Sequence, residues 1–312
     1  MTALAAITPI FALIFAGWLV RRFDIVQAQG MTELNRFVVW LALPALMFDV
    51  TANARLAEVW QPGFIIAFGA SVVVVFALTV VVAIRRRPLA DAAVAGLAAA
   101  YGNVAFMGYP LAAAVLGNSG VLAATIATLV TICALFATAV ALIEAGLQAE
   151  ARPHHLALKV GRTLLRNPLV VATLLGAVVA VVGLAIPAPI EKALKMLGGT
   201  ASPCALVTIG LFFGSKSPTP DKTAKGETAE TAFLVILKLL VQPLIAFALA
   251  KALHLPAIMT RGAVLLAAMP TGTGPFMLAE FYGRDVRVTS KTILITTLVS
   301  IVTLSVCIGL PL

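Results

Sequence analysis

The sequence predicts an all-α polytopic membrane protein of ten transmembrane helices, arranged as two inverted five-helix repeats. Three observations predict it. Of 312 residues, 61% are hydrophobic and only 11% are charged. Ten apolar runs of membrane-spanning length follow one another with short gaps, and prolines recur at a near-constant offset between the two halves.

The composition excludes a soluble globular protein of this size. Such domains are about 45–50% apolar and about 25% charged, because polar groups must cover the core. Here the mean hydropathy is +1.06. A membrane helix takes about 20 apolar residues, so ten of them use about 200 and leave no room for a soluble catalytic domain. The first run is read as a retained span: no positive charge precedes it, and Arg21–Arg22 follow it, the reverse of a secretory signal.

Charge, glycine and proline bound each run. The first covers 3–20 and stops at Arg21–Arg22; the second covers 34–50 and stops before Asn53 and Arg55. The third, 62–84, opens at Pro62 and closes on Arg85–Arg87. The fourth, 90–115, and fifth, 119–143, are parted by Gly117-Asn-Ser-Gly120. The sixth, 168–186, opens at Pro168 and ends at Pro187; the seventh covers 194–214. The eighth, 231–253, is followed by the ninth, 258–282, after Pro256, and the tenth covers 290–311. Runs such as Ser71–Ala83 are continuously apolar, which argues against the alternation of a membrane barrel.

Loop charges orient the chain. Loops after odd-numbered spans hold 15 Lys and Arg, the opposite loops hold 5, and Arg36 and Lys238 fall within spans. The richer side is read as cytoplasmic, placing both termini outside the cytoplasm in the inner (plasma) membrane. The net charge of +9 is then a topology signal, with the bilayer rather than a nucleic acid as the partner. Cys133, Cys204 and Cys307 lie in apolar runs without CxxC spacing, and His154–His155 lack an acidic neighbour. No metal site and no cofactor is expected. Homodimer formation is left open.

The chain divides into a first repeat at 1–143, a linker at 144–167 and a second repeat at 168–312. Five spans per half is an odd number, so the halves insert with opposite orientation. Pro9 and Pro168 are 159 residues apart, as are Pro44 and Pro203, and Pro110 and Pro270 are 160 apart. LPAL at 43–46 rhymes with SPCAL at 202–206. Inverted repeats characterise secondary transporters, whose substrate site lies near the midplane where the repeats meet.

Two spans carry helix-breaking clusters at their centres: Gly102, Asn103, Gly108 and Pro110 in the fourth, and Pro270, Thr271, Gly272, Thr273, Gly274 and Pro275 in the ninth. Proline removes a donor and clashes with the preceding turn, and glycine weakens a helix. In lipid the freed backbone groups must find partners, so matched breaks should line a polar cavity. Half-helix N-termini there favour an anion, and Asn103, Thr271 and Thr273 can add hydrogen bonds. An ordinary kink between packing helices is the alternative; it is favoured for one such span alone, whereas a matched pair of breaks favours a transport site. Among other ionisable groups, Lys238 is a candidate counter-charge to the substrate, while Asp49, Glu144 and Glu280 lie near span ends where snorkelling is cheap. There is no GxxxxGK[ST] loop and no cluster of catalytic side chains at one depth, so the chain reads as a carrier, not a pump or an enzyme.

These motifs resemble the auxin efflux carrier family, which includes plant PIN proteins and bacterial carriers of malonate, malate and similar acids. Asn35-Arg36-Phe37-Val38 with Pro44 resembles its second span, and Asn103-xxx-Met107-Gly108-x-Pro110-Leu111 its fourth. Arg166-Asn167-Pro168, Gly210-Leu211-Phe212 and Pro270-x-Gly272-xx-Pro275-Phe276-xx-Ala279-xx-Tyr282 resemble its sixth, seventh and ninth. The resemblance implies that helices 4 and 9 cross at their prolines, with a scaffold of helices 1, 2, 6 and 7 and a moving domain of the rest. It implies that Asn103 meets the substrate carboxylate. The acidic–basic pair of the plant third span is missing from 62–84, as is the long central loop of many plant members. The expected activity is alternating-access transport of a small mono- or dicarboxylate such as malonate or malate. A sodium-coupled organic-anion symporter of the bile-acid-transporter type, or an anion channel, stays open beside it.

Overall fold

A computed structural model describes residues 3–53, 59–147, 168–214 and 224–309. All its regular structure is helical. In chain order the helices are α1 Ala3–Arg22, α2 Ala28–Phe37, α3 Leu43–Ala52, α4 Pro62–Ala83, α5 Leu89–Ala100, α6 Tyr109–Leu129 and α7 Ala137–Leu147. They continue as α8 Pro168–Val182, α9 Ala188–Gly199, α10 Ala201–Gly214, α11 Ala224–Ile236, α12 Gln242–Ala252, α13 Ala257–Ala267, α14 Gly274–Phe281 and α15 Arg287–Gly309. Six continuous helical stretches among the described residues are long and apolar enough to cross a membrane; Leu89–Ala100, Pro168–Val182 and Ala257–Ala267 are shorter apolar helices.

Wide turns splice several of these helices, and proline causes three of them. Leu43, Tyr109 and Gln242 each donate their N–H five residues back, to Val38, Val104 and Leu237. Each stands immediately before a proline: Pro44, Pro110 and Pro243. A proline cannot donate and crowds the turn behind it, so the helix opens by one residue just ahead of the ring. The second span therefore runs unbroken from Ala28 through a wide turn at Val38–Ala42 to Ala52, longer than the apolar run at 34–50 indicates.

The corner between the fourth and fifth expected spans is made at one residue. Gly117 has φ 60 and ψ −141 inside an otherwise helical stretch, a conformation that glycine adopts without steric cost. A Cβ on Gly120 would lie 2.0 Å from the Ala112 carbonyl oxygen, so glycine also lets the two arms close on each other. The seventh expected span, 194–214, lies within the continuous helical stretch Ala188–Gly214, in which α9 and α10 join at Thr200.

Close helix packing runs through small residues, as expected where lipid removes the hydrophobic drive to associate. Gly17 of α1 and Gly210 of α10 sit in backbone contact: a Cβ on either would fall 2.0–2.2 Å from a carbonyl oxygen of the other helix. Gly176 of α8 and Gly198 of α9 abut α3 at Phe48 and Leu46. One packing set thus joins α1 with α10, α3 with α8 and α9, and α2 with α10. A second joins α4 with α5, α5 with α7, α12 with α4 and α13, α13 with α6, and α11 with α15. The sets meet where α14 lies against α2 and α1 against α15.

Candidate functional site

Both central breaks exist, and they cross. After α5 the chain leaves the helix at Tyr101–Asn103, and after α13 at Ala268–Thr273. The α5 half-helix is rich in alanine and is buried from Ala92 to Ala100, which lets another backbone come close. Gly102 and Thr271 pair there as an isolated antiparallel bridge. The Asn103 N–H donates to the Pro270 carbonyl at 2.7 Å, and the Gly272 N–H to the Tyr101 carbonyl at 3.0 Å. Each broken backbone thereby satisfies the other, as a non-aqueous interior requires.

Glycine is required where the strands touch. A Cβ on Gly272 would lie 2.8 Å from the Tyr101 ring and 3.3 Å from the Asn103 Cα. On Gly274 it would lie 2.9 Å from the same ring, and on Gly108 it would lie 3.1 Å from Leu266.

The polar residues of the two motifs divide into engaged and unengaged groups. Thr271 is engaged: its hydroxyl donates to the Ala98 carbonyl at 2.9 Å, and its N–H donates to Thr296 Oγ1 at 3.1 Å. It ties the ninth-span break to α5 and α15. Thr273 precedes α14, and Asn103 precedes the turn Val104–Gly108; neither side chain caps its helix. Among the described residues neither side chain has a hydrogen-bond partner. The Asn103 carbonyl accepts from Met107 and Gly108, both at 3.1 Å, so backbone alone shapes that turn. Asn103 remains 7% exposed. Pro275 occupies the second position of α14, where a missing N–H costs nothing, whereas Pro110 follows directly on the wide turn Val104–Gly108 that its ring opens; the Pro110 side chain lies outside the described residues. The arrangement offers two helix starts with positive dipole ends and two free polar side chains, the chemistry of an anion site.

Lys238 lies at the same crossing. It is fully buried; its Nζ donates to the Ala267 carbonyl at 2.8 Å and to Gln242 Oε1 at 2.7 Å. A Cβ on Gly102 would stand 3.5 Å from that Nζ. The sequence marks Lys238 as a candidate, whereas Gln242 and Thr296 carry no motif signal. The other charged candidates are elsewhere. Glu144 accepts from the Tyr282 hydroxyl at 2.7 Å, Asp49 accepts from Asn53 at 2.8 Å, and Glu280 lies near the end of α14. Cys204 and Cys307 are free thiols. The Cys133 side chain, His154–His155 and Arg166–Asn167 lie outside the described residues.

A separate cavity of about 520 Å³ is lined by Arg86, Arg87, Glu227, Glu230, Arg284 and Arg287, and by none of the crossover residues. Ion pairs brace it: Arg87–Glu230 at 2.5 Å, Arg284–Asp91 at 2.5 Å, and Glu227 with both Arg287 at 2.7 Å and Lys291 at 2.6 Å. The hydrogen bonds that Arg284 donates to the Asp91 carboxylate hold its guanidinium above its ordinary pKa, and those that Arg287 donates to Asp285 hold that carboxyl below the usual carboxylate range. The network links the 84–88 turn, α11 and the 282–286 turn. Its positive members are among the charges that orient the chain.

Comparison with known proteins places the chain among membrane transporters. A family model described as "Membrane transport protein" matches residues 2–308. A "Putative malonate transporter" of Rhizobium meliloti is 32% identical, over 96% of this chain and 92% of its own. An "Uncharacterized transporter" of Methanothermobacter thermautotrophicus is 25% identical over 97% of both chains. "Auxin efflux carrier component 8" of Arabidopsis thaliana is 29% identical over 150 residues, 47% of this chain and 40% of its own. With a transport-family match spanning almost every residue and helices apolar enough for repeated membrane crossing, the chain belongs to the membrane transport protein family that includes the auxin efflux carriers.

Proposed function

We propose that this protein is a secondary carrier that moves small organic anions, mono- or dicarboxylates such as malonate or malate, by alternating access. The single observation that carries the reading is the pair of helix starts at the crossover whose leading residues, Asn103 and Thr273, keep their side chains unengaged. The half-helix dipoles neutralise a carboxylate there, and the two side chains orient it. The name of the Rhizobium relative favours a dicarboxylate of malonate size. The packing set of α1–α3 and α8–α10 serves as a scaffold, against which the set containing the crossover moves. The ten spans then form inverted repeats at 1–143 and 168–312, joined by the 144–167 linker.

The test is counterflow. Purified protein in liposomes preloaded with unlabelled malonate is expected to accumulate labelled malonate transiently and saturably, with competition by malate. Linear, non-saturable flux would identify a channel instead, and absence of flux across a carboxylate panel would remove the carrier reading.

The 15-to-5 charge asymmetry sets the orientation in the cell's inner membrane. Cysteines introduced at Lys222, outside the described residues, and at Lys192 in α9 are expected to label from opposite sides, Lys222 from the cytoplasm. Labelling of both from one face would refute the ten-span topology.

A further inference from the structure

The crossover contains a charge that the anion-binding reading does not use. Lys238 is 0% exposed and has two oxygen acceptors, the Ala267 carbonyl and the Gln242 amide, both neutral. An ammonium has three donors, and no acceptor among the described residues takes the third. Nor does any carboxylate among them pair with it. A buried charge so placed is costly unless something offsets it.

The Ala267 carbonyl belongs to the last turn of α13, a half-helix that ends in the protein interior. Its helical partner would be the N–H of Thr271, but that N–H is turned to Thr296 Oγ1. The carbonyl is therefore an orphan of the helix end, at the negative pole of the half-helix dipole. In carriers with broken helices, such free carbonyls coordinate the coupling cation. Here Lys238 delivers an ammonium to that point. The wide turn before Pro243 carries Lys238, and Gln242 stands one turn later on the same face, so both reach the helix end together. Bare Gly102 leaves the ammonium room beside the opposite strand.

Resting on the carrier reading, we infer that Lys238 is a tethered cation standing where a diffusible sodium ion would bind, so that the organic anion is carried without sodium. Its charge and the substrate's offset each other across the crossover, and its hydrogen bond to Ala267 holds the end of α13. Lys238 is a positioning residue, acting through the helix end and through its field.

Two measurements test this separately. In malonate counterflow, wild-type protein is expected to run at the same rate in sodium and in choline. Lys238→Met, equal in length but uncharged, is expected to lose about ten- to hundred-fold, the worth of a hydrogen bond from a charged donor. Lys238→Arg retains the charge and is expected to transport more than the methionine variant. The second measurement, thermal melting in detergent, needs no transport. Wild-type melting is expected to be indifferent to sodium, whereas Lys238→Ala, which exposes the Ala267 carbonyl and Gln242 in a cavity, is expected to be stabilised by sodium or methylammonium. Sodium-dependent wild-type counterflow, sodium stabilisation of the wild type, or Lys238→Met at the wild-type rate would each overturn the inference. Lack of any wild-type counterflow, with the melting results as expected, would remove the carrier reading and leave the tethered cation standing.

Discussion

Asn103→Asp is expected to reach the membrane folded and to lose carboxylate transport. The fold at this position is made by backbone: the Asn103 N–H is bonded to Pro270, and its carbonyl accepts from Met107 and Gly108. Aspartate keeps all of that. The side chain caps no helix, so exchanging amide for carboxylate removes no structural bond. What changes is the sign of the group offered to the substrate. Two like charges about 4 Å apart repel by about 4 kcal/mol at an effective dielectric near 20, and each 1.4 kcal/mol is about tenfold in affinity. Loss of a hundred-fold or more in apparent affinity is expected, read by counterflow with expression and melting as controls. Asn103→Ala, which deletes the amide without repulsion, is expected to lose about ten- to hundred-fold with little change in melting. Near-wild-type uptake by Asn103→Asp would show that this residue does not face the anion.

Gly210→Ala is expected to be the most damaging single methyl in the scaffold. Its Cβ would lie 2.0 Å from the Ile14 carbonyl oxygen, 2.7 Å from the Trp18 nitrogen and 2.8 Å from the Gly17 Cα. Every obstacle is backbone, so no side chain can rotate away; α1 and α10 must separate. Overpacked cores lose about 1–3 kcal/mol, and a backbone-on-backbone clash should meet or exceed that range. Gly199→Ala at the end of α9 is the control, because its Cβ would meet nothing within 4 Å and alanine favours helix. Thermal melting in one detergent compares the two. Equal stability of both variants would mean that α1 and α10 are not in backbone contact.

Membrane helices and their breaks are legible in the sequence because both depend on local chemistry. A run such as 62–83 has no alternative to helix in lipid, since each backbone group must bond within its own segment. Pro270, Gly272, Gly274 and Pro275 within six residues cannot continue one, whatever surrounds them. Three of the wide turns were legible in principle too, each standing just before a proline; the one at Val130–Phe136 has none after it.

Which polar group does what was not legible, since it depends on what passes nearby from a distant part of the chain. Thr271 and Thr273 are two residues apart in one motif and indistinguishable by composition. Yet one is tied to Ala98 and Thr296, while the other's hydroxyl is left open at the start of α14. Proline spacing aligns Pro110 with Pro270, but the strands cross with Gly102 against Thr271. A proline acts on its own turn, whereas a crossing point is set by where two backbones can approach, and that depends on the alanines of α5 and the ring of Tyr101. Lys238 shows the same division. Hydropathy finds a charge in an apolar run, but only the fold brings it to the orphaned carbonyl of Ala267. That carbonyl is left without a helical partner because Thr296, on another helix, takes the N–H that would have bonded it.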